Sequence, residues 1–226
     1  MQESKLQYIK IIKLTKELLI MLTKIKLIKQ PSGSNWCGAS CLAMIMKYLG
    51  VPFSDQEEIW NNISDVSPNG RQYCKTYKIG KYANDKGLLS TIIRYKQLQP
   101  LLSYCEKNQV PTILNHHSFE NKELGHFTVF VKYNGASVII RDPENEKRTS
   151  VKYNDLEVSS QKSSVSDEIG GNIAIVINTG EIDSINFPCP NCLQVNKIDK
   201  GLLAIKDAIE CLICHECDSG ISIEAQ

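Results

Sequence analysis

The 226-residue chain has no apolar run approaching 18 residues, so no helix is expected to span a membrane. It has almost no net charge. Its 26 Lys and Arg stand against 25 Asp and Glu, which excludes a polycation that holds nucleic acid by its phosphates. The first residues, Met1-Gln-Glu-Ser-Lys, lack the succession of basic, apolar and small residues that marks a secretory signal. A reducing cytoplasm is therefore the expected compartment. No glycine-rich phosphate loop and no internal repeat occurs. Histidine is scarce at four residues, which narrows any search for a general base. Apolar residues at 42% and charged residues at 23% exclude wholesale disorder. The length fits one ordinary domain with a small accessory module.

What is present is unevenly spread. Residues 1–29 hold seven lysines against Glu3 and Glu17, a balance of +5. Residues 30–180 hold 16 basic and 15 acidic side chains, and residues 187–226 hold three lysines against six acids. Three segments are expected on this basis. In the first, Leu14, Leu18, Met21, Leu22 and Ile25 recur at helical spacing among lysines. This predicts a basic amphipathic helix. It either packs on its own domain or makes a peripheral contact with a membrane surface or partner.

The middle segment, 30–180, is expected to be α+β. Residues 36–48 have helical periodicity and stop at Gly50. Ser54 and Glu57 have the spacing of a capping box for a short helix at 56–62. Helices are also predicted over 87–95 and 99–106. Short apolar strands are predicted at 110–114 and 172–177, and residues 126–133 and 137–142 form a β-hairpin around Asn134-Gly135. The serine-rich run 159–166 is expected to be a mobile loop.

Cys37 sits where a polar loop passes into a helix. Unpaired N–H groups and the helix dipole there favour the thiolate, which is the nucleophilic form. Gly38 would let a substrate backbone approach. Cys41, one turn on, is either a second thiol or a small residue packing inward; Cys74 and Cys105 carry no motif. A thiolate needs a base and a group to orient it. His126 opens one strand of the hairpin and Asp142 closes the other. A three-residue loop, Tyr133-Asn134-Gly135, would pair residues whose numbers sum to 268 and set His126 opposite Asp142. A two-residue turn would put them on opposite faces. His116 and His117 compete as base but are expected in an exposed loop, and His215 lies among the C-terminal cysteines.

A Cys, a His and an Asp alone do not distinguish an enzyme from an adaptor; the surrounding residues do more. Gln30, then Asn35-Trp36-Cys37-Gly38-Ala39-Ser40-Cys41-Leu42-Ala43-Met44, with Gly125-His126-Phe127-Thr128-Val129 and Ile140-Arg141-Asp142-Pro143, resembles the papain-like cysteine peptidases of the bacteriocin-processing, double-glycine leader peptidase type. The resemblance covers roughly 30–180. It implies a papain-like fold and a peptide or protein substrate. It also implies Cys37 as nucleophile, His126 as base and then acid, and Asp142 orienting the imidazole. Gln30 and the Cys37 N–H would form the oxyanion hole, with Asn35 as the alternative amide. Hydrolysis is the expected outcome. An acyltransferase, a deamidase and a non-catalytic zinc-dependent adaptor are the alternatives.

Five of the nine cysteines fall within the last 38 residues. Cys189-Pro-Asn-Cys192, 18 residues, then Cys211-Leu-Ile-Cys214 resembles a zinc ribbon, in which two Cys-x-x-Cys knuckles offer four thiolates to a structural Zn²⁺. His215 and Cys217 are surplus, and a shifted set using Cys214 with Cys217 is the alternative. The acidic balance of this module points to docking of a protein partner or to support of the main domain.

Overall fold

The computed structural model describes residues 22–53, 55–67, 70–162 and 171–223. The helix predicted at the N-terminus falls mostly outside these residues. Its described end is a 3₁₀ turn, Leu22–Lys24, followed by irregular chain. Leu22 and Ile25 are buried in the core, and Arg141 donates to the carbonyls of Ile25 and Thr23 at 2.9 and 3.2 Å. This stretch therefore packs on its own domain.

Helix α1 (Cys37–Leu49) is buried along its whole first ten residues, Cys37 to Met46. It stops at Gly50, whose φ of 73° lets the N–H groups of Gly50 and Val51 turn back onto the carbonyls of Lys47 and Met46. Helix α2 (Gln56–Ile63) is capped by Asp55, whose carboxylate accepts the Glu58 N–H at 2.8 Å; Ser54, the expected cap, lies outside the described residues. The cap-to-acid spacing is kept but begins one residue later. A small hairpin, β1 (Ser64–Val66) and β2 (Gln72–Cys74), leads to helix α3 (Thr76–Asp85), which the sequence pattern did not reveal.

The segment expected as a helix at 87–95 is strand β3 (Leu88–Tyr95). Residues Leu88 to Ile93 are all buried, so both faces are covered. An apolar run without alternation then has no period that separates strand from helix. The β-branched Thr91, Ile92 and Ile93 favour the strand. Helix α4 (Leu98–Asn108), β4 (Thr112–His117), β5 (Gly125–Tyr133), β6 (Ser137–Arg141), β7 (Ser150–Lys152), α5 (Tyr153–Ser159) and β8 (Ile173–Thr179) follow. The serine-rich run enters the described residues only through the end of α5 and the short stretch to residue 162; the rest lies outside them.

The C-terminal part comprises a hairpin of β9 (Ser184–Pro188) with β10 (Val195–Asp199), a 3₁₀ stretch Lys200–Ala208, and strands β11 (Ile209–Ile213) and β12 (Gly220–Ile221). One eight-stranded antiparallel sheet runs in the order β12-β11-β3-β8-β4-β5-β6-β7. The C-terminal segment, expected as an appendage, thus continues the main sheet through β11 on β3. Asp199 fastens it further. This buried carboxylate accepts from the Tyr104 hydroxyl on α4 at 2.7 Å and from Asn178 on β8 at 3.0 Å, while its N–H donates to Thr91 on β3 at 3.2 Å. Helix α1 packs on β5 and α2, and this packing sets the start of α1 beside the start of β5.

Candidate active site

Cys37 is the first residue of α1 and is largely buried. Its thiol faces the Asn35 carbonyl at 3.9 Å. Gly38 serves packing rather than substrate access. A Cβ there would meet Cys74 Sγ at 2.9 Å and Ile79 Cδ1 at 3.0 Å. Cys41 points inward onto the Phe127 carbonyl at 3.3 Å. Burial pushes the Cys41 and Cys74 thiols well up, and that of Cys105 up to about 12. These three are poor nucleophiles at neutral pH.

His126 and Asp142 do meet, by a different route from the one expected. The turn pairs Tyr133 with Val138 and Lys132 with Ile139, a sum of 271. Continued regularly, that register would put His126 and Asp142 on opposite faces. An extra residue, Val131, bulges in β5, and beyond it Phe130 pairs with Ile140 and Val129 with Arg141, a sum of 270. Asp142 then falls opposite position 128, a diagonal neighbour of His126 on one face. His126 Nε2 lies 2.9 Å from Asp142 Oδ1, with both side chains buried. The three-residue loop and directly opposed pair are thus corrected to a longer loop, a bulge and a diagonal pair.

Asp142 is held from all sides. Its Oδ1 also accepts the backbone N–H groups of Glu144 and Asn145, at 3.0 and 3.2 Å, and its Oδ2 accepts from Arg148 at 2.8 Å. Burial alone would raise its pKa. The His126 contact, the Arg148 guanidinium and the Glu144 N–H outweigh it and hold the carboxyl down to about 2. For His126, burial works toward the neutral form, but hydrogen bonds with Asp142 and with Cys37, and the charges of both, lift it to about 10. The imidazole is therefore cationic at neutral pH. Nε2 is committed to Asp142, so Nδ1 is left for the Cys37 side of the ring, where Glu144 Oε2 also lies at 3.9 Å.

His116 is not in an exposed loop. It is fully buried on β4, paired with His126 across the sheet, with Nδ1 on the His117 carbonyl at 2.7 Å and Nε2 on Thr128 Oγ1 at 3.0 Å. Burial and the neighbouring His126 cation push it down to about 3, so it stays neutral, and both of its ring nitrogens are already engaged. Its ring stands edge-on to that of His126 at 5.5 Å.

Gln30, Cys37, Tyr73, Cys74, His126 and Glu144 line one cleft. The Gln30 N–H is tied to the Pro143 carbonyl at 3.0 Å, next to Asp142, and its Nε2 donates one hydrogen to the Ser34 carbonyl at 2.7 Å. A second hydrogen remains on that nitrogen. Asn35, the alternative amide, donates Nδ2 to the Gln72 carbonyl at 3.1 Å and so tethers its loop to β2.

The C-terminal thiols form a second cluster. The Sγ atoms of Cys189, Cys192, Cys214 and Cys217 all lie within 4.8 Å of one another, with the Cys189–Cys217 and Cys192–Cys214 pairs at 3.6 Å. Cys211, expected as a ligand, is not among them. It lies within β11, three residues before Cys214, and a three-residue step along a strand spans about 10 Å and ends on the opposite face. The turn that a knuckle requires comes after β11, at 215–217, and brings in Cys217 instead.

The two knuckles have matching backbones. Leu193 N–H returns to the Cys189 carbonyl at 2.9 Å and Asp218 N–H to that of Cys214 at 3.1 Å. Leu193 and Asp218, each just past the second cysteine, take φ of 64° and 63°, a conformation rare outside glycine. Asn196 Nδ2 and the Glu216 N–H point at Cys214 Sγ from 3.5 and 3.4 Å. A tetrahedron with metal–sulfur bonds of about 2.3 Å has edges of about 3.8 Å, so the donor set fits a four-coordinate thiolate-bound metal ion.

Residues 24–163 match the peptidase C39 family. The chain belongs to the peptidase C39 family. It is a cysteine peptidase with a papain-like arrangement of helices and antiparallel sheet. Its fold is similar to the peptidase domain of Streptococcus ComA, a bi-functional ABC transporter involved in quorum sensing. Identity is 19% over 69% of this chain and 98% of that one, with a TM-score of 0.51. It is also similar to a C39-like peptidase from Bacillus anthracis, at 16% identity over 68% of this chain and 94% of that one, TM-score 0.53. A double-glycine motif protease of a transporter, solved with its leader peptide, aligns at 22% identity over 69% of this chain and 92% of that one, TM-score 0.45. No curated protein matches the sequence. Within the described residues, no helix is long and apolar enough to cross a membrane. The C39 match ends before β8, so the cysteine cluster, β11 and β12 lie beyond it.

Sequence reasoning missed Arg148, Asn196, Glu144 and the packing of His116. A six-residue gap from Asp142 carries no periodic signal, because the turn between brings Arg148 back. Cys217 was present as an alternative, since cysteines at 211, 214 and 217 repeat one spacing twice.

Proposed function

We propose that this C39 peptidase cleaves peptide substrates of the leader-peptide class with Cys37 as nucleophile, His126 as acid and base, and Asp142 as the residue that orients the imidazole. The observation that carries this reading is His126, cationic at neutral pH, bonded through Nε2 to a buried carboxylate and interacting on its other side with the Cys37 thiol. The thiolate sulfur attacks the scissile carbonyl carbon, and the carbonyl π pair moves onto oxygen. The Cys37 N–H and the free Gln30 Nε2 hydrogen are the donors for that oxyanion. Collapse breaks the C–N bond as Nδ1–H protonates the departing amine, leaving a thioester and a neutral imidazole. Water then gives a proton to Nδ1 and its oxygen to the acyl carbon, and the thiolate is released.

The cysteine cluster is assigned to a structural Zn²⁺ held by Cys189, Cys192, Cys214 and Cys217. Four thiolates leave no open position for a reacting water. The ion would lock the two knuckles together and keep β11 seated on β3.

Limiting iodoacetamide on the native protein across pH 5–9, read by peptide mass, tests the reading together with a leader-peptide cleavage assay. Cys37 should be labelled far faster than Cys74 and Cys105, with the advantage gone in His126→Ala. Equal labelling of all three thiols would end the proposal. Cleavage should fall by about 10²- to 10³-fold in Gln30→Ala.

A further inference from the structure

We propose that Arg148 is a positioning residue for the Asp142–His126 pair, closing a ring of contacts around it and clasping the two loops that wall the cleft on the histidine side. The inference rests on the proposed roles of Cys37 and His126. The ring can be followed link by link. Arg148 Nη1 donates to Asp142 Oδ2 at 2.8 Å, and Asp142 Oδ1 meets His126 Nε2 at 2.9 Å. The His126 ring stands edge-on to neutral His116 at 5.5 Å, and His116 lies against Phe119 at 4.6 Å. The Phe119 face carries the Arg148 guanidinium at 4.9 Å, which returns the ring to its start.

Arg148 supplies the only contact described for Asp142 Oδ2, whereas Oδ1 has three. Without Arg148 the carboxylate loses the restraint that distinguishes its oxygens, and the aim of Oδ1 at His126 is no longer fixed. The other arm of the guanidinium reaches Glu120, which also accepts from Asn145 at 3.1 Å. Glu120 belongs to the β4–β5 loop, whose Ser118 and Leu124 line the cleft. Asn145 and Arg148 belong to the β6–β7 loop, which contributes Glu144. One planar group thus bridges two carboxylates while stacking on a ring. Lysine, a point charge on a flexible stem, cannot do all three. An ordinary surface ion pair with Glu120 would be worth little; the partner that matters is the fully buried Asp142.

The test uses the full chain and Arg148→Met, Arg148→Lys and Glu120→Gln variants, with the rate of Cys37 alkylation by iodoacetamide at neutral pH as the readout. Arg148→Met should slow alkylation by about tenfold or more, as loss of an orienting outer partner commonly does. Millimolar guanidinium should restore much of the rate, while equal sodium chloride should not. Arg148→Lys should recover only part, and Glu120→Gln, which keeps an acceptor oxygen, should match the parent. A rate unchanged in Arg148→Met, or a loss that guanidinium does not reverse, overturns the proposal. Should Cys37 of the parent show no enhanced reactivity, the peptidase assignment fails instead. Nitrogen-15 NMR titration of the His126 ring then decides: a midpoint shifted in Arg148→Met supports the positioning role, and an unchanged one overturns it.

Discussion

His126, the proposed acid and base, should leave a measurable mark on stability. Its proton is held to about 10 in the fold, against an ordinary value of 6.5. A proton bound more tightly in the folded state stabilises the fold below the unfolded pKa, and that contribution is lost as pH rises through the folded value. Urea stability should therefore decline between about pH 6.5 and 10, and this component of the decline should vanish in His126→Ala. Asp142, held down to about 2, has the opposite sense. Its contribution is present above the ordinary carboxylate value and is lost as pH falls toward 2. The part of each shift that comes from the other group is one coupling seen from either end; Cys37 adds to the shift of His126, and Arg148 and the Glu144 N–H add to that of Asp142. The thiols allow an equally direct comparison. Cys217→Ser should strip zinc from the purified protein, while Cys211→Ser should retain one zinc per chain, because Cys211 lies within β11 outside the cluster. Equal zinc loss in both would restore the ligand set that spacing alone suggested.

Between elements, α1 makes a close joint with α3 and β2 at Gly38. Gly38 has an ordinary helical backbone, so alanine there gains helix propensity, yet its Cβ would press on Cys74 and Ile79. Gly38→Ala should lower stability by about 1–3 kcal/mol in urea melts, and adding Cys74→Ala should recover part of that loss by removing the nearest atom. Full additivity of the two changes would show that the contact is not the cause. The same elements show what local sequence encodes. Cys37 at the start of α1, Gly50 at its end, and His126 and Asp142 on neighbouring strands were legible because turn residues and periodicity are local. Strand β3 was mistaken for a helix because both of its faces are covered and alternation disappears. The register of the hairpin was misjudged because the loop runs over residues 134–137 rather than 133–135, and because a bulge at Val131 looks like any other valine. Arg148 and His116 were invisible as partners because their roles arise only when two loops and two strands are brought side by side.

Across the whole molecule, the C-terminal cysteines and the peptidase site share one sheet. Strand β11 covers an edge of β3 that would otherwise present unpaired N–H and C=O groups, and β3 in turn pairs with β8, which supports β4 and the histidine-bearing β5. The knuckles hold β11 at its end, where Cys214 follows Ile213 directly. The segment has too little core of its own to keep that position without cross-links. Metal removal should therefore be felt in the sheet. Treatment with a strong chelator should lower Tm and speed amide exchange at Arg94 on β3, whose N–H faces β11, and at Lys96, whose N–H donates to the Ala208 carbonyl just before β11, while β4, β5 and β6 keep their protection. Cys37 alkylation should persist at temperatures where those strands remain folded, because no cysteine of the cluster lines the cleft. An appendage without a structural stake would give the opposite pattern, with zinc lost and the exchange of β3 unchanged. On the proposed assignment zinc would fasten the edge of the sheet that carries His126, and its effect on turnover should track the opening of β3 rather than metal content itself.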